Sequence, residues 1–187
     1  MSKTEVQEYF NSIFDLIQEK CQKHHLKISV SDDKDFDIVI TNQDETNVLP
    51  IKVICPIKYF PEKKLTPHGI ETACLFHIQT IELQTKPLLI FSFQNETSGK
   101  TEFMIVKTSD LINKFTELSK LPNCNGSYKM MIYALSDNLI LDATDISAEG
   151  EWYFVGGRMV ENTKWDLSLY LNRWDEIFNH FIHESTD

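Results

Sequence analysis

The chain has 187 residues, 42% of them apolar and 25% charged, and carries a net charge of −10. That length fills one domain with a real core, or one core plus an appendage, and no apolar run approaches the ~20 residues that span a bilayer. Duplex DNA is bound through clustered Lys and Arg. An acidic chain whose only arginines are Arg158 and Arg173 is therefore disfavoured as a tight sequence-specific DNA binder, and is as compatible with a protein partner.

Taken in order, the chain opens with MSKTEVQEYF, which lacks the basic-then-apolar order of a signal peptide, so a cytoplasmic protein is expected. Val6, Phe10, Ile13, Phe14, Ile17 and Cys21 recur at spacings of three and four and predict an amphipathic helix from residue 3 to about 25. Ser2 or Thr4 can cap its start, and His24–His25 close it where cations suit the dipole. LKISVS alternates as a half-buried strand does, DDKD is a turn, and FDIVIT is a second strand rich in β-branched residues. NQDETN is a polar hairpin loop before a third strand, VLPIKVICP. Pro50 within it points to an edge or a bulge, because proline has no N–H for the ladder.

YFPEKKLTPHG reads as an irregular connection. The stripe Ile70, Cys74, His77, Ile78 and Ile81 predicts a helix from Gly69 to Gln84. PLLIFSFQ is nearly continuous in apolar residues and is expected to be a central strand. EFMIVK follows as another strand. Thr108 or Ser109 then caps a helix to about Lys120, with Leu111, Phe115 and Leu118 on one side. After LPNCNGS, the segments YKMMIYAL and NLILDA read as paired strands around Ser136–Asp137, EWYFVGG as a short strand, and residues 163–183 as a last helix. The expected organisation is one α/β domain over residues 1–187, with 1–120 as its core and 121–187 as C-terminal strands and helix packed on it.

The order α-β-β-β-α-β over residues 3–94, with Asp37 at the start of one strand and Lys52 in the next, resembles the core of the PD-(D/E)XK nuclease-like superfamily. It is nearest to small restriction-endonuclease-like domains. The resemblance covers about half the chain and implies a restriction-endonuclease-like fold, a mixed sheet flanked by helices with C-terminal elaboration. It also implies Mg²⁺-dependent phosphodiester cleavage in defence against foreign DNA or in DNA repair. In that chemistry carboxylates converge on a hard cation, and a lysine two residues along the strand shares their face. Asp37 matches the metal-binding aspartate and Lys52 the catalytic lysine. The position two before the lysine, where the family carries Glu or Gln, is Pro50, which offers no ligand. The resemblance lets Glu62 or Glu71 supply the missing carboxylate and lets Glu8 or Glu5 match a glutamate of the first helix.

Plain structural readings stand beside these. Asp37 follows Asp32, Asp33 and Asp35 and fits a solvated acidic turn, and Lys52 fits a strand lysine that discourages edge pairing. Cys21, Cys55, Cys74 and Cys124 form no C-x-x-C pair and are expected to be reduced and buried. His180 and His183, three apart, lack a matching ligand cluster; His77 fits a hydrogen-bonded core histidine; Gly156–Gly157–Arg158 gives only a short anion-binding turn. Trp152, Tyr153, Trp165, Tyr170 and Trp174 make the C-terminal third aromatic, which suits packing or a protein-binding surface. Two functions follow: a Mg²⁺-dependent nuclease using Asp37, Lys52 and Glu71 or Glu62, or a catalytically inactive nuclease-derived module that binds protein. A fold that sent Asp37 and Lys52 to opposite faces would end the comparison.

Overall fold

The computed structural model describes residues 3–32, 37–59, 70–95, 99–135, 140–142, 154–155, 158–159 and 166–182. The elements in chain order are α1 (Lys3–Lys23), β1 (Lys27–Val30), β2 (Ile38–Thr41), β3 (Val48–Ile54), β4 (Lys58–Tyr59), β5 (Ile70–Gln79), α2 (Thr80–Thr85), β6 (Leu88–Gln94) and β7 (Thr101–Lys107). Then come α3 (Thr108–Glu117), β8 (Ser127–Leu135), β9 (Ile140–Asp142), β10 (Phe154–Val155), β11 (Arg158–Met159), a 3-10 turn (Ser168–Tyr170) and α4 (Asp175–Ile182). Among the described residues this is an α/β protein with four helices. A mixed five-stranded sheet with one parallel pair runs in the order β1-β2-β3-β6-β7. A four-stranded antiparallel sheet runs β4-β5-β8-β9, and β10-β11 is a two-stranded ribbon. The chain divides into two compact units, residues 1–53 with 174–187, and residues 54–173.

In the first unit, Ile13, Ile17 and Cys21 recur every four residues along α1 and are fully buried, while Asp15, Glu19 and Lys20 on the other faces are exposed. The helix ends as His24 and Leu26 both donate their N–H to the Cys21 carbonyl and His25 takes a left-handed φ of 57°. The chain then meanders through β1, β2 and β3, antiparallel throughout, with Ile28 opposite Ile40 and Ile40 opposite Leu49. Ile38, Ile40, Leu49, Ile51 and Val53 are buried on one face. The alternate residues Val39, Thr41, Pro50 and Lys52 are half-buried on the other, and Val48 is exposed. β3 is the third strand of five, so Pro50 does not mark an edge. Asn42 donates to the Asn47 carbonyl at the hairpin end. By alternation Leu49 and Ile51 carry the bonds to β2, and the N–H that Pro50 lacks is on the side away from β2.

The last helix is shorter than the expected 163–183. The 3-10 turn ends at Tyr170, Asn172 adopts φ 53°, and α4 begins only at Asp175. Trp165 and His183 lie outside the described residues. α4 belongs to the first unit. Its Phe178 ring stacks on His24 with centroids 3.6 Å apart and planes at 19°. The Lys20 ammonium sits 5.9 Å over Trp174 just before the helix, and the Asn47 side-chain amide donates to the His180 carbonyl at 3.2 Å.

The second unit corrects the largest expectation. Residues 69–84 are not one helix: β5 occupies Ile70–Gln79, and only Thr80–Thr85 is helical. The element order through β6 is α-β-β-β-β-β-α-β. Cys74 and Ile78 are four apart, a spacing that suits a helix face and equally suits every second position of a strand. Phe76 between them decides the matter, because Cys74, Phe76 and Ile78 are all fully buried while Leu75 and His77 are half-exposed and Ile81 is exposed. β5 pairs along its length with β8, and the register shifts between Ile70 and Thr72, leaving Glu71 at the irregularity. Phe76 meets Phe91 edge to face at 5.3 Å, inside a core that includes Phe93, Met104, Phe115 and Ile132.

β6 is buried from Leu88 through Phe93, as its apolar run implies. α3 begins at Thr108, but neither Thr108 nor Ser109 is its cap. Lys107 holds that position without a side-chain bond, and the Thr108 hydroxyl donates to the Lys86 carbonyl at 2.6 Å. β8 and β9 pair as expected, with Tyr133 opposite Leu141. Cys21 and Cys74 are buried and Cys55 is half-buried, but Cys124 is exposed.

Two outcomes test this arrangement. Phe76→Ala should cost about 3–5 kcal/mol in urea unfolding and Ile81→Ala less than about 0.5; a helix over 69–84 reverses that ranking. In the native protein Cys124 should react first with a thiol reagent, and Cys124→Ser should remove that fast phase. Cys21, whose thiol is pushed up to about 11 by burial, should stay unreactive until the protein unfolds.

Candidate functional site around Asp37 and Lys52

The site is set by register. Ile38 faces Ile51, so the next residue outward on each strand, Asp37 and Lys52, fall opposite each other and on the less buried face. Backbone bonds fix Asp37 from both sides: its N–H donates to the Ile51 carbonyl and its carbonyl accepts from Ser31, both at 3.1 Å. Each oxygen of its carboxylate has one partner. Oδ1 accepts from Lys52 Nζ at 3.1 Å, and Oδ2 accepts from the Val53 N–H at 2.8 Å. The two side chains keep 25% and 22% of their surface exposed, so solvent screens the pair only partly.

The far end of the same hairpin is tied independently. Asp44 Oδ1 accepts from both the Thr46 hydroxyl and the Thr46 N–H, and these bonds hold its carboxyl below the usual carboxylate range. Asn42 Oδ1 accepts from Asn47 N–H at 3.0 Å, and Lys27 pairs with Glu45 at 2.8 Å. Both lysines that this three-stranded face presents, Lys27 and Lys52, are therefore neutralised by a carboxylate.

The remaining sequence-derived candidates are not brought to this pair by anything described. The backbone of Glu8 and Glu5 lies in α1, that of Glu71 in β5 of the second unit, and Glu62 lies outside the described residues. Pro50, on the same face as Lys52, supplies no donor atom. Magnesium requires several oxygen ligands in near-octahedral array. Asp37 offers one carboxylate with both oxygens engaged, and no group of three His, Cys, Asp or Glu converges among the described residues. The described side chains do not fit a divalent cation.

Of the other singled-out residues, His77 is half-buried on β5, and Tyr170 is buried, with its hydroxyl pushed up by desolvation and by Asp110. His180 leaves Nε2 buried without a hydrogen-bond partner. Gly156 and Gly157 with Trp152 and Tyr153 lie outside the described residues. Two features had no sequence signal. A backbone N–H such as that of Val53 is present at every non-proline position, and the return of α4 to the first unit depends on long-range packing.

Comparison with protein-family models, with curated proteins and with solved structures returns no match.

A charge-assisted hydrogen bond at a partly buried site is worth about 1.5–3 kcal/mol. Asp37→Ala should therefore lower the stability of the protein by about that amount, read as a reduced midpoint in urea. Asp37→Asn, which keeps an acceptor for Val53, should lose less. Equal stability of all three proteins would show that the pair holds nothing together.

Proposed function

We propose that the chain is a PD-(D/E)XK nuclease-like module that has kept the Asp–Lys pair as a clasp between strands and acts by binding a protein partner, without cleaving nucleic acid. The observation that carries this reading is that both Asp37 oxygens bond within the chain, to Lys52 Nζ and the Val53 N–H, while no group of three His, Cys, Asp or Glu converges among the described residues. A metal ion at Asp37 would share these oxygens with the Lys52 ammonium, whose positive charge opposes a second cation at the same carboxylate. Pro50 removes the neighbouring ligand, and the net charge of −10 opposes a polyanionic substrate.

The nuclease-like ancestry rests on a long helix followed by an antiparallel three-stranded meander, with Asp37 before the second strand and Lys52 in the third. The second reading, Mg²⁺-dependent phosphodiester cleavage in defence or repair, is favoured by one observation: Asp37 and Lys52 share a face and meet. It requires further carboxylates, with Glu62, Glu71 and Glu8 the residues that the resemblance offers.

Calorimetric titration of Mg²⁺ and Mn²⁺ into the wild-type protein and Asp37→Ala, followed by incubation with DNA and RNA, separates the two. Binding readings expect no saturable heat at millimolar metal and intact nucleic acid. Saturable metal binding that disappears in Asp37→Ala, with cleavage that disappears alongside it, overturns them in favour of the enzyme.

A further inference from the structure

The loop between α3 and β8 contains the one Asn-Gly dipeptide of the chain, Asn125–Gly126. Asn125 is exposed, and its side-chain Oδ1 faces Cys124 Sγ at 3.7 Å. Glycine places no Cβ beside the following backbone nitrogen, so that nitrogen can reach the asparagine side-chain carbon. At Gly126 the only heavy atom near a hypothetical Cβ is the Thr80 hydroxyl oxygen, 3.8 Å away.

The turn holds that nitrogen in check. Gly126 N–H donates to the Asn123 carbonyl at 2.9 Å, and Gly126 sits at φ 69°. The turn is itself built on the Asn123 side chain. Its Oδ1 accepts from the N–H of Asn125 at 2.9 Å and of Ser127 at 3.1 Å, and its Nδ2 donates to the Ser127 hydroxyl at 2.8 Å. The Gly126 carbonyl in turn accepts from the Thr80 N–H and hydroxyl at 2.9 and 2.6 Å, anchoring the turn to the start of α2.

We propose that Asn125–Gly126 is a spontaneous modification site, a deamidation switch whose rate is set by the Asn123-built turn. The Gly126 nitrogen attacks Asn125 Cγ. The new N–C bond forms as Cγ–Nδ2 breaks, and the nitrogen's proton leaves with the ammonia. One water then opens the five-membered imide at either carbonyl, giving aspartate or isoaspartate. Either product adds a negative charge, and isoaspartate also inserts a methylene into the main chain between Asn123 and Gly126. The register of the turn, and with it the pair of hydrogen bonds from Thr80 to the Gly126 carbonyl, cannot survive that insertion unchanged.

The full chain is incubated in mildly alkaline buffer, folded and in urea, and mapped by peptide mass spectrometry with isoaspartate detection. Asn125 should convert before any other asparagine, and more slowly folded than unfolded. Asn123→Ala removes three side-chain hydrogen bonds and should speed conversion in the folded protein by more than the roughly fivefold that one hydrogen bond of ordinary strength carries. Where Asn123→Ala fails to fold by circular dichroism, Ser127→Ala, which removes only the Nδ2–hydroxyl bond, should give a smaller acceleration. Asn125→Gln should abolish the product. Equal rates folded and unfolded, an unaccelerated folded variant, or earlier conversion elsewhere overturns the proposal.

Discussion

A carboxylate at the start of a strand must find partners for both oxygens or stay in water, and Asp37 has found them in Lys52 and in the backbone of Val53. That requirement locks β2 against β3 at the residue where the ladder opens. Because side chains alternate with period two, fixing this register also decides which residues of the meander are buried. A slip of β3 by one residue would bring Pro50 to the core and send Ile51 to solvent. The ion pair is thus as much a consequence of the buried isoleucines as their guarantor. Neither function proposed above can be considered apart from that structural duty.

Much of the first unit was legible because its signals are local. The α1 stripe, the β-branched runs and the polar hairpin loop each name their element, and strand alternation alone places Asp37 and Lys52 on one face. The segment around Cys74 was not legible, since a spacing of four satisfies two periodicities at once and only the burial of Phe76 separates them. Pro50 reads as an edge or a bulge because sequence gives the missing donor but not the side to which it would have pointed. The C-terminal helix is shorter than its aromatic spacing implies, because that spacing continues through Asn172, whose left-handed backbone asparagine tolerates but does not dictate.

The aromatic C-terminal third also changes meaning once its contacts are known. Trp174, part of a docking surface by composition, has Lys20 of the same unit over its ring, and Phe178 nearby stacks on His24. Tyr170 is buried. Aromatic content alone therefore does not separate a surface offered to a partner from one already spent on the chain's own packing.

The return of α4 to the first unit has a consequence in time. The first unit is interrupted in sequence by the whole of the second. On a ribosome adding ~5–20 residues per second, α1 and its three strands emerge on the order of ten seconds before the helix that completes them. The second unit is being made throughout that interval, while the first stands unfinished with Asn47 lacking the His180 carbonyl and His24 lacking its ring partner. Of the two units, the one begun first is the last to be closed.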